Sequence, residues 1–189
     1  MKRLSLFLLS LVLCCTQLPA QTALDSGKGH GGNYDWQMCR AGDVRSAAKD
    51  ISTPGFSTSA WQDAIVPGTV LTSLVADGVY PDPYYGTVNK LSEGLIPDLA
   101  DAGREFYIYW FRTEFDGADA GSGKRVFLQA LGINYRAEFW LNGQMLGAMT
   151  GMFNDNIFDV TDCVVRDGRN ALAVLVYPVD EPGRWMQKS

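Results

Sequence analysis

Tyr109-Trp110-Phe111-Arg112-Thr113-Glu114-Phe115, Arg125-Val126-Phe127-Leu128-Gln129-Ala130-Leu131 and Ala137-Glu138-Phe139-Trp140-Leu141-Asn142-Gly143 decide the fold class. Each alternates. Phe111, Thr113 and Phe115 point one way and Arg112 and Glu114 the other; Val126, Leu128 and Ala130 share a face, as do Ala137, Phe139 and Leu141. A period of two is the geometry of a strand with one buried face. Strands are therefore expected over Glu105–Phe115, Arg125–Leu131 and Ala137–Leu141, the last closed by the hairpin dipeptide Asn142-Gly143. Ala171–Tyr177 is apolar on both faces, as a central strand covered on both sides must be. Phe153–Val160 is a weaker strand signal.

Upstream, Trp36 and Met38 fall on one face of Tyr34–Cys39, and Pro54-Gly55 marks a turn. Trp61–Val66 reads as a short strand stopped by Pro67-Gly68. Thr69 is placed to cap a helix over Val70–Ala76, ended by Gly78. Residues 80–104, punctuated by Pro81, Pro83, Gly86, Gly94, Pro97 and Gly103, predict a long ordered loop. The gap between Phe115 and Arg125 holds Gly-Ala-Asp-Ala-Gly-Ser-Gly, not the helix of ten or more residues that a parallel crossover needs. The expectation is an all-β sandwich with one or two short helices, spanning residues 34–183.

The first residues read as targeting. Lys2 and Arg3 precede the apolar run Leu4–Leu13, too short to span a bilayer, and Leu18-Pro19-Ala20 offers an exit. Residues 1–20 are expected to be a signal peptide for a secreted or periplasmic protein, with lipid anchoring at Cys14 or Cys15 as the alternative. No later stretch is long and apolar enough for a membrane span. Residues 21–33 are a polar, flexible lead-in. Its Gly27-Lys28-Gly29-His30-Gly31-Gly32 fits G-x-G-x-x-G but lacks the preceding strand and following helix of a dinucleotide site.

The formal net charge of −5 becomes more negative once Lys2 and Arg3 are removed. That argues against nucleic acid or an anionic membrane surface as partner. Processing leaves two cysteines, Cys39 and Cys163, either two separate buried thiols or a disulfide permitted by export. With one His and no Cys-x-x-Cys, no metal site is expected, and nothing calls for a cofactor.

A nucleophilic triad is excluded in practice, because the one His sits in the lead-in and no G-x-S-x-G elbow exists. Glycoside hydrolysis needs two carboxyl groups across a glycosidic bond. Glu114 and Glu138 lie opposite apolar faces and are expected to solvate the outer surface. Asp77, Asp82, Asp98, Asp101, Asp159 and Asp162 sit at turns and strand ends, where capping explains them. Among the aromatics Tyr80, Tyr84, Tyr85, Tyr107, Tyr109, Trp110, Trp140 and Trp185, the two tryptophans of the strands are expected in the core. Tyr84 and Tyr85, on the loop, are candidates to stack on a sugar.

Six phrases in order carry a resemblance. They are Trp61-x-x-Ala64-x-Val66-Pro67-Gly68-Thr69-Val70-Leu71, Gly78-Val79-Tyr80-Pro81-Asp82-Pro83-Tyr84-Tyr85-Gly86, Ile96-Pro97-Asp98, Tyr109–Phe115, Gly132-Ile133-Asn134-Tyr135-Arg136 running on to Gly143, and Phe158-Asp159-Val160-Thr161. Together they resemble the N-terminal sugar-binding-type domain of glycoside hydrolase family 2, in its exo-β-glucosaminidase and β-mannosidase branch. The resemblance implies a jelly-roll sandwich of the galactose-binding type. In the family it precedes an immunoglobulin-like domain and a (β/α)₈ barrel that carries both catalytic glutamates. It implies no catalytic residue here, a truncated linker over residues 184–189, and a chain inactive by itself. Its partners are a β-linked glycoside or the missing barrel. By the same resemblance Asn89 matches an Asn that reaches the barrel's pocket; an ordinary turn role is the alternative. A free-standing carbohydrate-binding module and an inert product of a truncated gene are the competing readings.

Overall fold

The computed structural model describes residues 21–26, 34–90, 93–117 and 123–179. The expected signal segment with Cys14 and Cys15, the glycine run with His30, and the stretch with Gly183, Trp185 and the linker 184–189 lie outside the described residues.

Among the described residues the strands form two antiparallel sheets. The strands are β1 (Trp36–Arg40), β2 (Gln62–Asp63), β3 (Tyr109–Asp116), β4 (Phe127–Ala130), β5 (Arg136–Leu141), β6 (Gln144–Thr150), β7 (Asn156–Asp159) and β8 (Arg169–Tyr177). The large sheet runs β2-β1-β3-β8-β5-β6, and β4 pairs with β7 in the small one. The registers Arg40↔Tyr109, Tyr109↔Val176, Arg136↔Tyr177 and Arg136↔Thr150 gather the end of β8 and four neighbouring strand termini at one end of the large sheet. Asp116↔Arg169 marks the opposite end.

The alternation read from the sequence builds the core. Met38, Phe111, Phe139, Leu172 and Val174 face the small sheet, which supplies Leu128, Ala130 and Phe158. The Phe139 and Phe158 rings meet with centroids 5.0 Å apart. β8 lies centrally between β3 and β5. Its other face also is covered, because Ala173 and Leu175 join Trp110, Trp140, Phe56, Trp61 and Ile51 in a second cluster. That cluster is roofed by α1 (Ala48–Ile51) and the chain after it. All-β architecture and two core tryptophans are as expected; Trp110 is buried and Trp140 partly so.

Several boundaries moved, each for a local reason. The strand expected from Glu105 starts at Tyr109, because Arg104–Tyr107 form a 3-10 turn. There the Arg40 guanidinium lies 3.8 Å above the Phe106 ring. The stretch 61–66 pairs only over Gln62–Asp63. Two of its donors are taken by side chains instead: Ile65 N–H by Ser73 Oγ (3.0 Å) and Val66 N–H by Ser26 Oγ (3.0 Å). The stretch 153–160 shortens to β7, and Phe153 is exposed. The loop 80–104 contains a short helix, α3 (Leu99–Ala102). α2 (Val70–Ala76) is the helix expected, with Thr69 Oγ1 accepting the Thr72 N–H at 3.0 Å.

β6 was not expected at all. Its Gly147 breaks the pattern, yet a Cβ there would stand 3.0 Å from the Phe158 ring, so glycine is what lets the sheets close. The hairpin before it uses Asn142 (φ 49°) and Gly143 (φ 82°), both left-handed, as a type I′ turn requires. The lead-in also differs from a flexible tail where it is described. Leu24 accepts the Trp36 indole N–H at 2.8 Å, and buried Ser26 donates its N–H to Val66 C=O at 2.7 Å.

Candidate functional site

Two regions merit a chemical reading. The first is a groove of about 410 Å³ at the Asp116–Arg169 end of the large sheet, lined among others by Gln37, Phe56, Arg112, Glu114, Asp116 and Arg169. Arg112 is 3% exposed. Its Nε donates to Ile51 C=O (2.8 Å), and its Nη2 donates to Thr53 C=O (2.9 Å) and to Glu114 Oε1. Glu114 also accepts Gly55 N–H at 2.7 Å and Arg169 Nε at 3.3 Å. Glu114 thus does not solvate the outer surface as expected. The chain that roofs the second cluster folds over it, and a strand pattern carries no sign of that cover.

Burial pushes the Glu114 carboxyl up, but its hydrogen bonds with Arg112, Gly55 and Arg169 and the Arg112 charge outweigh that and hold it below its ordinary 4.5. An unfolded chain then binds more protons than the folded one, so this contribution is full above about pH 5 and is lost as pH falls through the folded value. Urea denaturation across a pH series is expected to show stability falling below pH 5, with a shallower fall in Glu114→Gln. Identical slopes in the two proteins would remove Glu114 from acid unfolding.

The second region is the loop with the predicted sugar-facing residues. Tyr84 is 95% exposed and Tyr85 78%; Asn89 is exposed as well. The three sit on one run of turns. Asp82 starts it, its Oδ1 accepting Tyr84 N–H at 2.9 Å and its carbonyl accepting Tyr85 N–H at 3.1 Å. The far end is tied down by Tyr107, whose hydroxyl donates to Pro97 C=O. Burial and the neighbouring Tyr80 and Tyr109 push the Tyr107 hydroxyl up to about 12. Tyr80 packs on the main core and Tyr109 is buried, so neither offers a free ring face.

Two further candidate carboxylates have structural partners. Asp159 accepts Thr161 Oγ1 at 2.6 Å and Thr161 N–H at 3.1 Å, and pairs with Arg125. Those bonds hold its carboxyl down at about 2. Glu138, also expected to be solvated, accepts the Tyr177 hydroxyl at 2.8 Å. Cys39 and Cys163 are separate thiols, each half-buried. Among the described residues no group of His, Cys, Asp and Glu side chains is gathered to hold a metal, and no helix is long and apolar enough to cross a membrane. Sequence reasoning missed the Arg112–Glu114–Arg169 cluster. The signal available was an Arg and a Glu on the same strand face as Trp110, a residue expected in the core.

A family model described as the galactose-binding-like domain of glycosyl hydrolase 2 matches residues 36–188. The chain belongs to that family. As a family 2 N-terminal domain it falls in the branch that its motifs resemble. The mannosylglycoprotein endo-β-mannosidase of Lilium longiflorum is 38% identical over 164 residues, 85% of this chain and 16% of the relative. The exo-β-D-glucosaminidase of Streptomyces avermitilis is 31% identical, over 71% of this chain and 14% of the relative. The crystal structure of Amycolatopsis orientalis exo-chitosanase superposes with a TM-score of 0.65 at 29% identity, covering 79% of this chain and 17% of that one. This family 2 domain therefore spans about one sixth of the length of the curated relatives it matches.

Proposed function

We propose that this domain positions the catalytic part of a family 2 glycoside hydrolase acting on β-linked mannosides or glucosaminides, and cleaves no glycosidic bond itself. The observation that carries this is the state of Glu114. A retaining site needs two carboxyl groups about 5–5.5 Å apart, one with a raised pKa to serve as acid. Of the carboxyl residues lining the groove, Asp35, Glu114 and Asp116, Glu114 is held below its ordinary value and engaged by two guanidinium groups, and Asp116 pairs with Arg169. The substrate classes come from the names of the relatives. In this reading the loop of Tyr84, Tyr85 and Asn89 reaches toward the sugar, and residues 1–20 export the protein.

The full chain is expected to show no turnover of aryl β-mannoside, β-glucosaminide or β-galactoside above a buffer blank. Measurable release of the aryl group would end the non-catalytic reading. A carbohydrate-binding module is the second reading, drawn from the exposure of Tyr84 and Tyr85. Calorimetric heat with chitosan or mannan oligosaccharides that disappears in Tyr84→Ala/Tyr85→Ala would favour it over positioning.

A further inference from the structure

The groove at the Asp116–Arg169 end holds more polar capacity than its own bonds use. Arg112 belongs to its wall although the residue is only 3% exposed. Nε and Nη2 of that guanidinium are committed to Ile51, Thr53 and Glu114, and Nη1 has no acceptor among the described residues. A buried cation therefore keeps donors for whatever enters the groove, and an oxygen from water or a ligand must take them. Gln37 stands directly opposite Arg112 in the β1–β3 register. Its Oε1 accepts Thr58 Oγ1 at 3.3 Å, which leaves its amide nitrogen unused among the described residues. At the rim, Asp35 is exposed and its carboxylate is unpaired among the described residues. Asp116, 86% exposed, holds Arg169 through one oxygen at 3.3 Å. Phe56 adds a ring to the wall, braced edge-on by Trp61 with centroids 6.0 Å apart. This wall is already tied to Ile51, Thr53 and Gly55, so little ordering is left to oppose a ligand.

We propose that the groove binds one pyranose ring of an amino sugar, a β-linked glucosamine unit, with hydroxyls on Arg112 Nη1 and the Gln37 amide, the ammonium at the Asp35 and Asp116 rim, and the apolar ring face against Phe56. The volume of about 410 Å³ lies at the small end of ligand sites, which suits a single ring. Three carboxylates against two guanidinium groups leave the groove negative, so a uronate or phosphate is repelled and an ammonium attracted. An apolar ligand would take water from Asp35 and Asp116 and return nothing. A sugar ring offers a donor and an acceptor at each hydroxyl, matching a wall that carries both. β3 runs from Tyr109 to Asp116, with the groove at its Asp116 end, while the loop of Tyr84 and Tyr85 is tied down through Tyr107 beside the other. The site requires neither that loop nor the positioning role.

Calorimetry of the full chain with the β-linked glucosamine disaccharide is expected to show binding in the millimolar range. Asp35→Asn/Asp116→Asn should weaken it by about tenfold or more and keep the parent's melting temperature; if the melting temperature falls, Asp35→Asn alone serves under the same expectation. Tyr84→Ala/Tyr85→Ala should leave the affinity unchanged, and glucuronic acid should bind more weakly than the disaccharide. Absence of heat from the parent chain at millimolar disaccharide overturns the site. Loss of binding in the tyrosine variant, with the aspartate variant unaffected, moves the sugar to the loop and overturns the groove. Lysine amide bound as tightly as the disaccharide would reduce the groove to a cation site and overturn the sugar assignment.

Discussion

Arg112→Met is expected to lower the unfolding free energy by about 3–5 kcal/mol, the cost of breaking a buried ion pair by removing one partner. For a domain of this size that moves the melting temperature down by roughly 10 °C, read by calorimetry or urea denaturation at pH 7. Met fills the volume of the arginine stem, so the loss measures polar groups and not a cavity. Three acceptors lose the guanidinium together: the carbonyls of Ile51 and Thr53 and the Glu114 carboxylate, which keeps Gly55 N–H and the more exposed Arg169. The two carbonyls belong to the segment that roofs Trp110 and Ala173, so unpairing them loosens the second core cluster as well. Arg112→Lys should recover only part of the loss, because an ammonium point charge lacks the planar fork that faces backbone and carboxylate at once. A double variant with Glu114→Gln should be less destabilised than the two single losses summed, since the ion pair they share is counted once. A change below 1 kcal/mol in Arg112→Met would mean that the guanidinium is hydrated and that the groove extends beneath it.

Asn170→Ala is the second large effect, expected at about 3–4 kcal/mol from several buried polar groups left unpaired at once. Asn170 is fully buried at the start of β8. Its Oδ1 accepts Val165 N–H at 2.7 Å and the Asn142 amide at 2.7 Å. Its Nδ2 donates to Val165 C=O at 2.8 Å and Gly168 C=O at 3.2 Å. Asn142 continues the network, donating to Cys163 C=O at 2.8 Å and accepting Ala171 N–H at 2.9 Å. The β5–β6 hairpin turn and the turn before β8 are thus bolted together through two side-chain amides. Asn170→Asp is the informative control. It retains an acceptor for Val165 N–H but sets a carboxylate against two carbonyl oxygens, and so should destabilise as much as Ala. Hydrogen exchange at the Val165 and Ala171 amides should accelerate in both variants. Protection unchanged from the parent would show that the amide network is dispensable.

Much of this was legible in the amino-acid order. Period-two alternation in Tyr109–Phe115 and Ala137–Leu141 reports which face is dry, and that is a local property of a strand. The α2 helix was legible for the same reason, since Thr69 and Gly78 act on their immediate neighbours. The family motifs are contiguous phrases, and so they too could be read without coordinates. Asn89, Tyr84 and Tyr85 were correctly seen as loop residues. The reach toward a sugar proposed for them would depend on a neighbour that no local pattern describes.

Tertiary structure alone decided the rest. Glu114 was read as solvated because its strand face alternates toward polarity; the roof over it comes from Ile51–Gly55, about sixty positions upstream. β6 was hidden because Gly147 has a poor strand propensity, and its glycine is explained only by a Phe158 ring from the opposing sheet. The approach of the loop after β4 to the loop after β6, with Gly132 beside the Met152 carbonyl, is likewise a product of strand order. Backbone alternation is written in neighbouring residues, so the sequence by itself determined most of the strands, the faces turned to the main core and the family. Cover, ion pairing and the coincidence of loops at one end depend on segments far apart in the chain, and only their folding together brings those groups within hydrogen-bonding and packing distance.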